Sequence, residues 1–234
     1  ARQIMTSLPT ESERRDYMPK LLVNGRKIAE EFAFLSSAER NSAFFSELTK
    51  AVAVDIGRCL SRPLPPSYRL IRIDGRLDDD KFEIALLDTA TNAVVYYNRV
   101  IIVGDIYLEA KPVTQCLVWR TTNYPHSEVL HGVAGDVFFK YLLEAYQVIM
   151  SDNAQTGNGQ QFWLTQISRA LYENLFVYYY DSMRCKLQLI GNEGALEELK
   201  STMWGEDDSY CYQLAIISKV ELPAGLEVEI KEGA

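Results

Sequence analysis

Three groups of residues have types and spacings that could do chemistry. His131-Gly132-Val133-Ala134-Gly135 places small residues where apolar positions at helical spacing begin, with Val133, Val137, Phe138, Tyr141 and Leu142 following. Small side chains at such a point let backbone N–H groups approach a ligand, and a helix N-terminus favours an anion such as phosphate. The same residues would also let a helix pack closely on a sheet, and spacing alone leaves both readings open. Ser151-Asp152-Asn153-Ala154-Gln155-Thr156 gathers hydroxyls, amides and an acid after the apolar run Val148-Ile149-Met150. At the C-terminal end of a parallel strand, where open α/β sheets bind ligands, this cluster could orient an acceptor. It could equally serve the next helix as its cap region, with Asn158 as N-cap. Glu83, Asp152 and Asp181 are the acids that could act as a general base, and no spacing selects among them.

These groups need a scaffold, and the sequence between Cys116 and Asp181 supplies one. CLVWR, HGVAGDVFFKYLLEA, VIMSD, NGQQFWLTQISRALYE and FVYYYD read as strand, helix, strand, helix, strand, a βαβα unit running into a further strand. Upstream, YRLIRI alternates as a half-buried strand should, Asp74-Gly75 marks a turn, and strands follow at Phe82 to Asp88 and Val94 to Val103. These form an antiparallel meander; Ile106 to Lys111 and Thr114 to Arg120 form a second, hairpin-like segment with Pro112 between, and Tyr210 to Val220 gives a last apolar strand. The first sixty residues read as helical, with Ser36 and Glu39 as a capping box for a helix through about Leu60 whose buried face is Phe44, Phe45, Leu48, Val52 and Ile56. The stiff stretch RPLPPS then separates a helical segment, 1–62, from an α/β domain, 63–234. The expected fold is α/β in the broad α+β sense: a mixed, mostly antiparallel sheet with flanking helices.

Composition narrows the function. The chain has 234 residues, 47% hydrophobic, enough for a substantial core, and no apolar run of the roughly 20 residues that span a bilayer. A soluble, cytoplasmic protein is expected, since residues 1–20 lack the apolar stretch of a secretory signal. A formal charge of -8, from 24 basic and 32 acidic residues, argues against broad nucleic-acid binding. The four cysteines and two histidines are scattered, so no metal site is expected and the thiols should be reduced.

The order of elements resembles the GCN5-related N-acetyltransferase (GNAT) fold, whose turn after the fourth strand reads roughly R/Q-x-x-G-x-G/A. Gly132-Val133-Ala134 matches the last half of that motif, and Val129 stands at the position of the Arg or Gln. The resemblance implies acetyl-CoA as cofactor. Leu117, Val118 and Trp119 would supply the strand edge for the pantetheine arm, and the amides of His131, Gly132, Val133, Ala134 and Gly135 would hold the phosphates. S-D-x-x-Q-T-x-x-G-x-x-x-W, present as Ser151-Asp152 through Gln155-Thr156, Gly159 and Trp163, is similar to a pattern in acetyltransferase-like proteins of bacteriophages. That likeness covers about Gly132 to Asp181 and implies acyl transfer to an unidentified amine. Ser151, Asn153, Gln155, Thr156 and Trp163 would be the acceptor side, and Trp163 or Tyr172 falls where the family often carries a general-acid Tyr.

Two other classes compete. A scaffold of this kind could be a non-catalytic inhibitor or adaptor that binds a host protein, because fold does not fix function. Glu109 and Lys111, alternate residues of a predicted strand, resemble with Asp88 or Asp105 the acids and lysine of a PD-(D/E)xK metal-dependent nuclease.

Overall fold

The computed structural model of the chain describes residues 32–103, 113–150, 157–181, 186–203 and 213–222. Among these residues nine strands form one sheet in the order β1-β2-β3-β4-β5-β6-β9-β7-β8. The first five are β1 (Ala53–Asp55), β2 (Tyr68–Asp74), β3 (Lys81–Asp88), β4 (Ala93–Val103) and β5 (Val113–Arg120), each antiparallel to the next. A parallel pair joins β5 to β6 (Gln147–Met150). Beyond it, β9 (Gln213–Ser218), β7 (Phe176–Asp181) and β8 (Lys186–Leu189) are again antiparallel. The sheet is therefore mixed and mostly antiparallel with flanking helices, as the pattern of alternation predicts. The βαβα unit gives its expected parallel pair, but β7 does not continue it, because β9 inserts between β6 and β7.

Both faces of the sheet are covered. Residues 133–145 form one helical run, α2, made of Val133–Asp136, a π-helical Val137–Leu142 and Leu143–Ala145. With α3 (Gly157–Tyr172) and α4 (Glu193–Met203) it lies on the face of Leu70, Phe82, Ile84, Val100 and Val177. On the opposite face α1 (Ala38–Lys50) buries Phe44, Phe45 and Leu48 against Ile71, Ile73, Leu87 and Tyr97. Each such side chain contributes about 1.5–3 kcal/mol on burial, so packing rather than helix propensity holds α1 in place. β3 is buried on both sides along nearly its whole length, which explains why Phe82, Ile84, Ala85, Leu86 and Leu87 place apolar side chains on both of its faces. None of the described helices is long and apolar enough to cross a membrane.

The helix expected through Leu60 stops at Lys50 instead. Ala51 is extended at φ -73° and ψ 156°, and residues 53–55 pair with 71–73 as the edge strand β1. Val52 and Ile56 fit a helical spacing with Phe45 and Leu48, but Val52 is 90% exposed and Ile56 joins the core of the other face. The alternating β-branched Val52 and Val54 prefer a strand, and β2 offers them an edge. The expected capping box is also absent. Ala33–Ser36 is a 3-10 turn, the N-cap is Ser37, and its side chain makes no capping bond. β1 precedes RPLPPS yet pairs with β2 after it, so that stretch links two strands of one sheet.

Candidate functional site

β5 runs eight residues, but only Val113, Thr114 and Gln115 pair with β6, through Gln147, Val148 and Ile149. Residues 116–120 keep full pairing with β4, from Val100↔Cys116 to Tyr96↔Arg120, and among the described residues take no strand on their other edge. β6 is described only to Met150, one residue beyond the Gln115↔Ile149 pair, and the backbone of Leu117, Val118 and Trp119 continues β5 past that point. Alternation points Val118 toward the α2 face and Leu117 and Trp119 toward the α1 face.

The chain leaves the C-terminal end of β5 and returns through α2 to the start of β6. The N-terminus of α2 therefore lies beyond the C-terminal end of β5. Gly132 is its N-cap at φ 83°, a left-handed conformation that favours glycine. Gly135 lies close to α3: a Cβ there would stand 2.9 Å from Nη1 of Arg169, the end of a flexible side chain. That guanidinium lies 4.2 Å over the Phe139 ring and donates from Nε to Glu173 Oε1 at 2.7 Å. A cation thus stands beside the first turn of α2. Arg169 escapes sequence reasoning because it sits mid-helix, a full element away from the glycines.

Asp136 fixes the same turn from the other side. Its carboxylate accepts the Ser61 N–H at 2.7 Å and the Ser61 hydroxyl at 2.8 Å, and lies 3.2 Å from Lys140 Nζ. Burial pushes its pKa up, but the Ser61 bonds and Lys140 outweigh this and hold it below the usual carboxylate value. A group with a depressed folded pKa contributes stability above its unfolded pKa and loses it as pH falls through the folded one. Asp136→Asn is therefore expected to cost about 1–3 kcal/mol at neutral pH, with the gap to the parent narrowing below about pH 4. Urea melts of both proteins across pH check this.

The connection 121–132 is anchored by His126, whose Nδ1 is 2.9 Å from the Tyr68 hydroxyl and 4.0 Å from Asp88 Oδ2. Burial, then the Asp88 charge, raises the Tyr68 pKa, so this hydroxyl keeps its proton. Asp88 itself accepts from the Ala90 N–H at 3.0 Å and the Thr91 hydroxyl at 2.7 Å, which is turn capping between β3 and β4.

The remaining candidates are dispersed. His131 is exposed, and Val133 is buried in the core that also takes half-buried Ala134 and Val129. Trp163 is buried with its ring 5.7 Å from Phe138, and Tyr172 is exposed. Asp181 is buried at the end of β7, opposite Lys186 of β8 and Gln213 of β9, on the face of Val177 and Tyr179. Glu83 is on the other face. It receives Nε and Nη2 of Arg76 at 2.7 and 2.6 Å and the Tyr97 hydroxyl at 2.5 Å, so its oxygens are engaged beneath α1. Ser151, Asp152, Asn153, Gln155 and Thr156 lie outside the described residues, as do Asp105, Glu109 and Lys111. No three or more His, Cys, Asp or Glu side chains among the described residues stand together as metal ligands. Burial pushes the thiols of Cys59 and Cys116 up to about 11 and about 12, which makes both poor nucleophiles.

Sequence reasoning passes over Asn98, Gln115 and Gln147, polar residues buried within apolar strands. Their signal is an amide at an inward position of VVYYNRVIIV, VTQCLVW and QVIM. No protein-family model matches this chain, and neither a curated protein nor a solved structure matches it.

Proposed function

We propose that this protein binds acetyl-CoA or a similar acyl thioester and transfers the acyl group to an amine, as a cytoplasmic acyltransferase-like protein of phage or mobile-element origin. The observation that carries the reading is the parallel pair β5–β6 with a crossover helix, α2, whose N-cap at the C-terminal end of β5 is the left-handed Gly132. An extended, amide-bearing arm would run along Leu117, Val118 and Trp119 on the edge of β5 away from β4. A diphosphate would find the first N–H groups of α2 together with the Arg169 guanidinium beside Gly135. The bound thioester would supply an activated acyl carbon. The chain's own share is to hold it, to position the amine and to take its proton. Asp152 and Asp181 remain the acids for that last step, since Glu83 is occupied on the far face. Ser151, Asn153, Gln155 and Thr156 follow β6 and would orient the acceptor, while Trp163 supports the site through its packing on Phe138.

Calorimetry with acetyl-CoA tests the reading, and failure to bind at millimolar ligand would sink it. Gly132→Asn and Gly132→Asp separate charge from backbone strain, because both residues tolerate the left-handed region. The Asp variant is expected to lose about 10- to 100-fold in affinity by repulsion of phosphate, and the Asn variant to stay near the parent. Equal affinity in both would remove the phosphate turn from the proposal.

One observation favours a second reading. Val129 is half-buried against the core at the position where the resemblance asks for a basic or amide side chain. A non-catalytic adaptor or inhibitor that binds a host protein needs no such side chain. Stable co-purification with a host protein, without thioester binding, would select it.

A further inference from the structure

Two glutamines near the middle of the sheet have no hydrogen bond to any of their side-chain polar atoms: Oε1 and Nε2 of Gln115 and of Gln147 are all buried and unpartnered. Gln115 is 2% exposed and Gln147 0%. They sit on the two strands of the parallel pair, with Val113 opposite Gln147 and Gln115 opposite Ile149, so they are diagonal neighbours on one face. Gln115 also lies opposite Ile101, and Ile149 opposite Ile216, which puts both glutamines on the α1 side of the sheet.

Buried carboxamides are nearly always hydrogen-bonded, and an apolar side chain of similar volume would fill these positions at no loss. We propose that Gln115 and Gln147 together form a binding site for a small neutral ligand that carries an amide. Each carboxamide offers two donors and an acceptor, so its complement is a group that both donates and accepts. The charges of this layer already answer one another: Glu83 lies opposite Arg99 in register and binds Arg76, and Arg76 Nη1 meets Glu47 at 3.4 Å. A charged ligand would bring an unanswered charge, whereas a neutral amide would not. The site is on the face away from Val133 and Val137, and it does not depend on thioester binding.

Acetamide and its charged isostere acetate are suitable probes for the full-length chain. Acetamide is expected to raise the parent's melting temperature by about 2–4 °C relative to the Gln115→Met/Gln147→Met double variant, and acetate to raise neither. The double variant alone is expected to melt at or above the parent. A double variant that melts lower would mean that the carboxamides bond within the chain, and it would overturn the proposal. So would an equal acetamide shift in both proteins, no shift in the parent, or a shift with acetate only. Side-chain NH2 resonances of the parent give a readout that needs no variant: two glutamine pairs should move on acetamide addition, and unmoved pairs would overturn the site.

Discussion

Replacing Glu83 with alanine is expected to lower the stability of the fold by about 3–5 kcal/mol, the largest loss of any single change considered. The carboxylate is 0% exposed and accepts two bonds from Arg76 and one from Tyr97. Alanine removes the only acid facing this layer from β3 and leaves the Arg76 and Arg99 charges beneath α1, where Arg76 also lies 4.9 Å over the Phe44 ring. Glu83→Gln keeps an acceptor for the Tyr97 hydroxyl and should cost less. Glu83→Leu/Arg76→Leu removes both partners of the pair and should recover much of the loss, because the penalty comes from the stranded charge rather than from the missing attraction. Urea unfolding with unchanged m-values reads all three. A loss below about 1 kcal/mol for Glu83→Ala would mean that water reaches Arg76 and that the layer is wetter than its burial implies.

The strands were legible because their alternation is set by two buried faces. YRLIRI and FVYYYD became β2 and β7 within a residue of their expected bounds, and Gly75 and Asn92 take the positive φ that their turns require. The end of α1 was not legible, because Val52 and Ile56 fit a helical face by spacing, and only the neighbouring edge of β2 makes a strand the better use of those residues. β8 and α4 gave no comparable signal: KLQL alternates over four residues with one of them buried, and EGALEELKSTM is short and strongly charged. The candidate site divides in the same way. Gly132 was visible as a small residue before a helix, since a left-handed N-cap leaves a local mark in the sequence. The approach of Arg169 to Gly135 and the Asp136 contact with Ser61 are tertiary facts about residues far apart in the chain, and no spacing encodes them.

Asn41→Ala is expected to cost about 3 kcal/mol, although the side chain is small and lies on a helix. β4 extends past the end of β5: the ladder closes at Tyr96↔Arg120, with the Thr121 N–H on the Val95 carbonyl, so Val94 has no β5 partner. Asn41 of α1 takes that place. Its Oδ1 accepts the Val94 N–H at 2.7 Å, its Nδ2 donates to the Val94 carbonyl at 2.9 Å, and the second Nδ2 proton goes to the Leu35 carbonyl at 2.8 Å. One carboxamide thus copies a strand's peptide group and ties both α1 and the turn before it to the sheet. Alanine strands three backbone groups at a site that is 6% exposed, which is why the cost exceeds that of an ordinary hydrogen bond. Asn41→Asp discriminates further. It keeps the acceptor for the Val94 N–H but turns an anion toward two carbonyl oxygens, so it should be no better than alanine at neutral pH. Amide exchange at Val94 should accelerate in the alanine variant beyond its global change in stability, and an unchanged rate would mean that another group replaces Asn41 as the partner of β4.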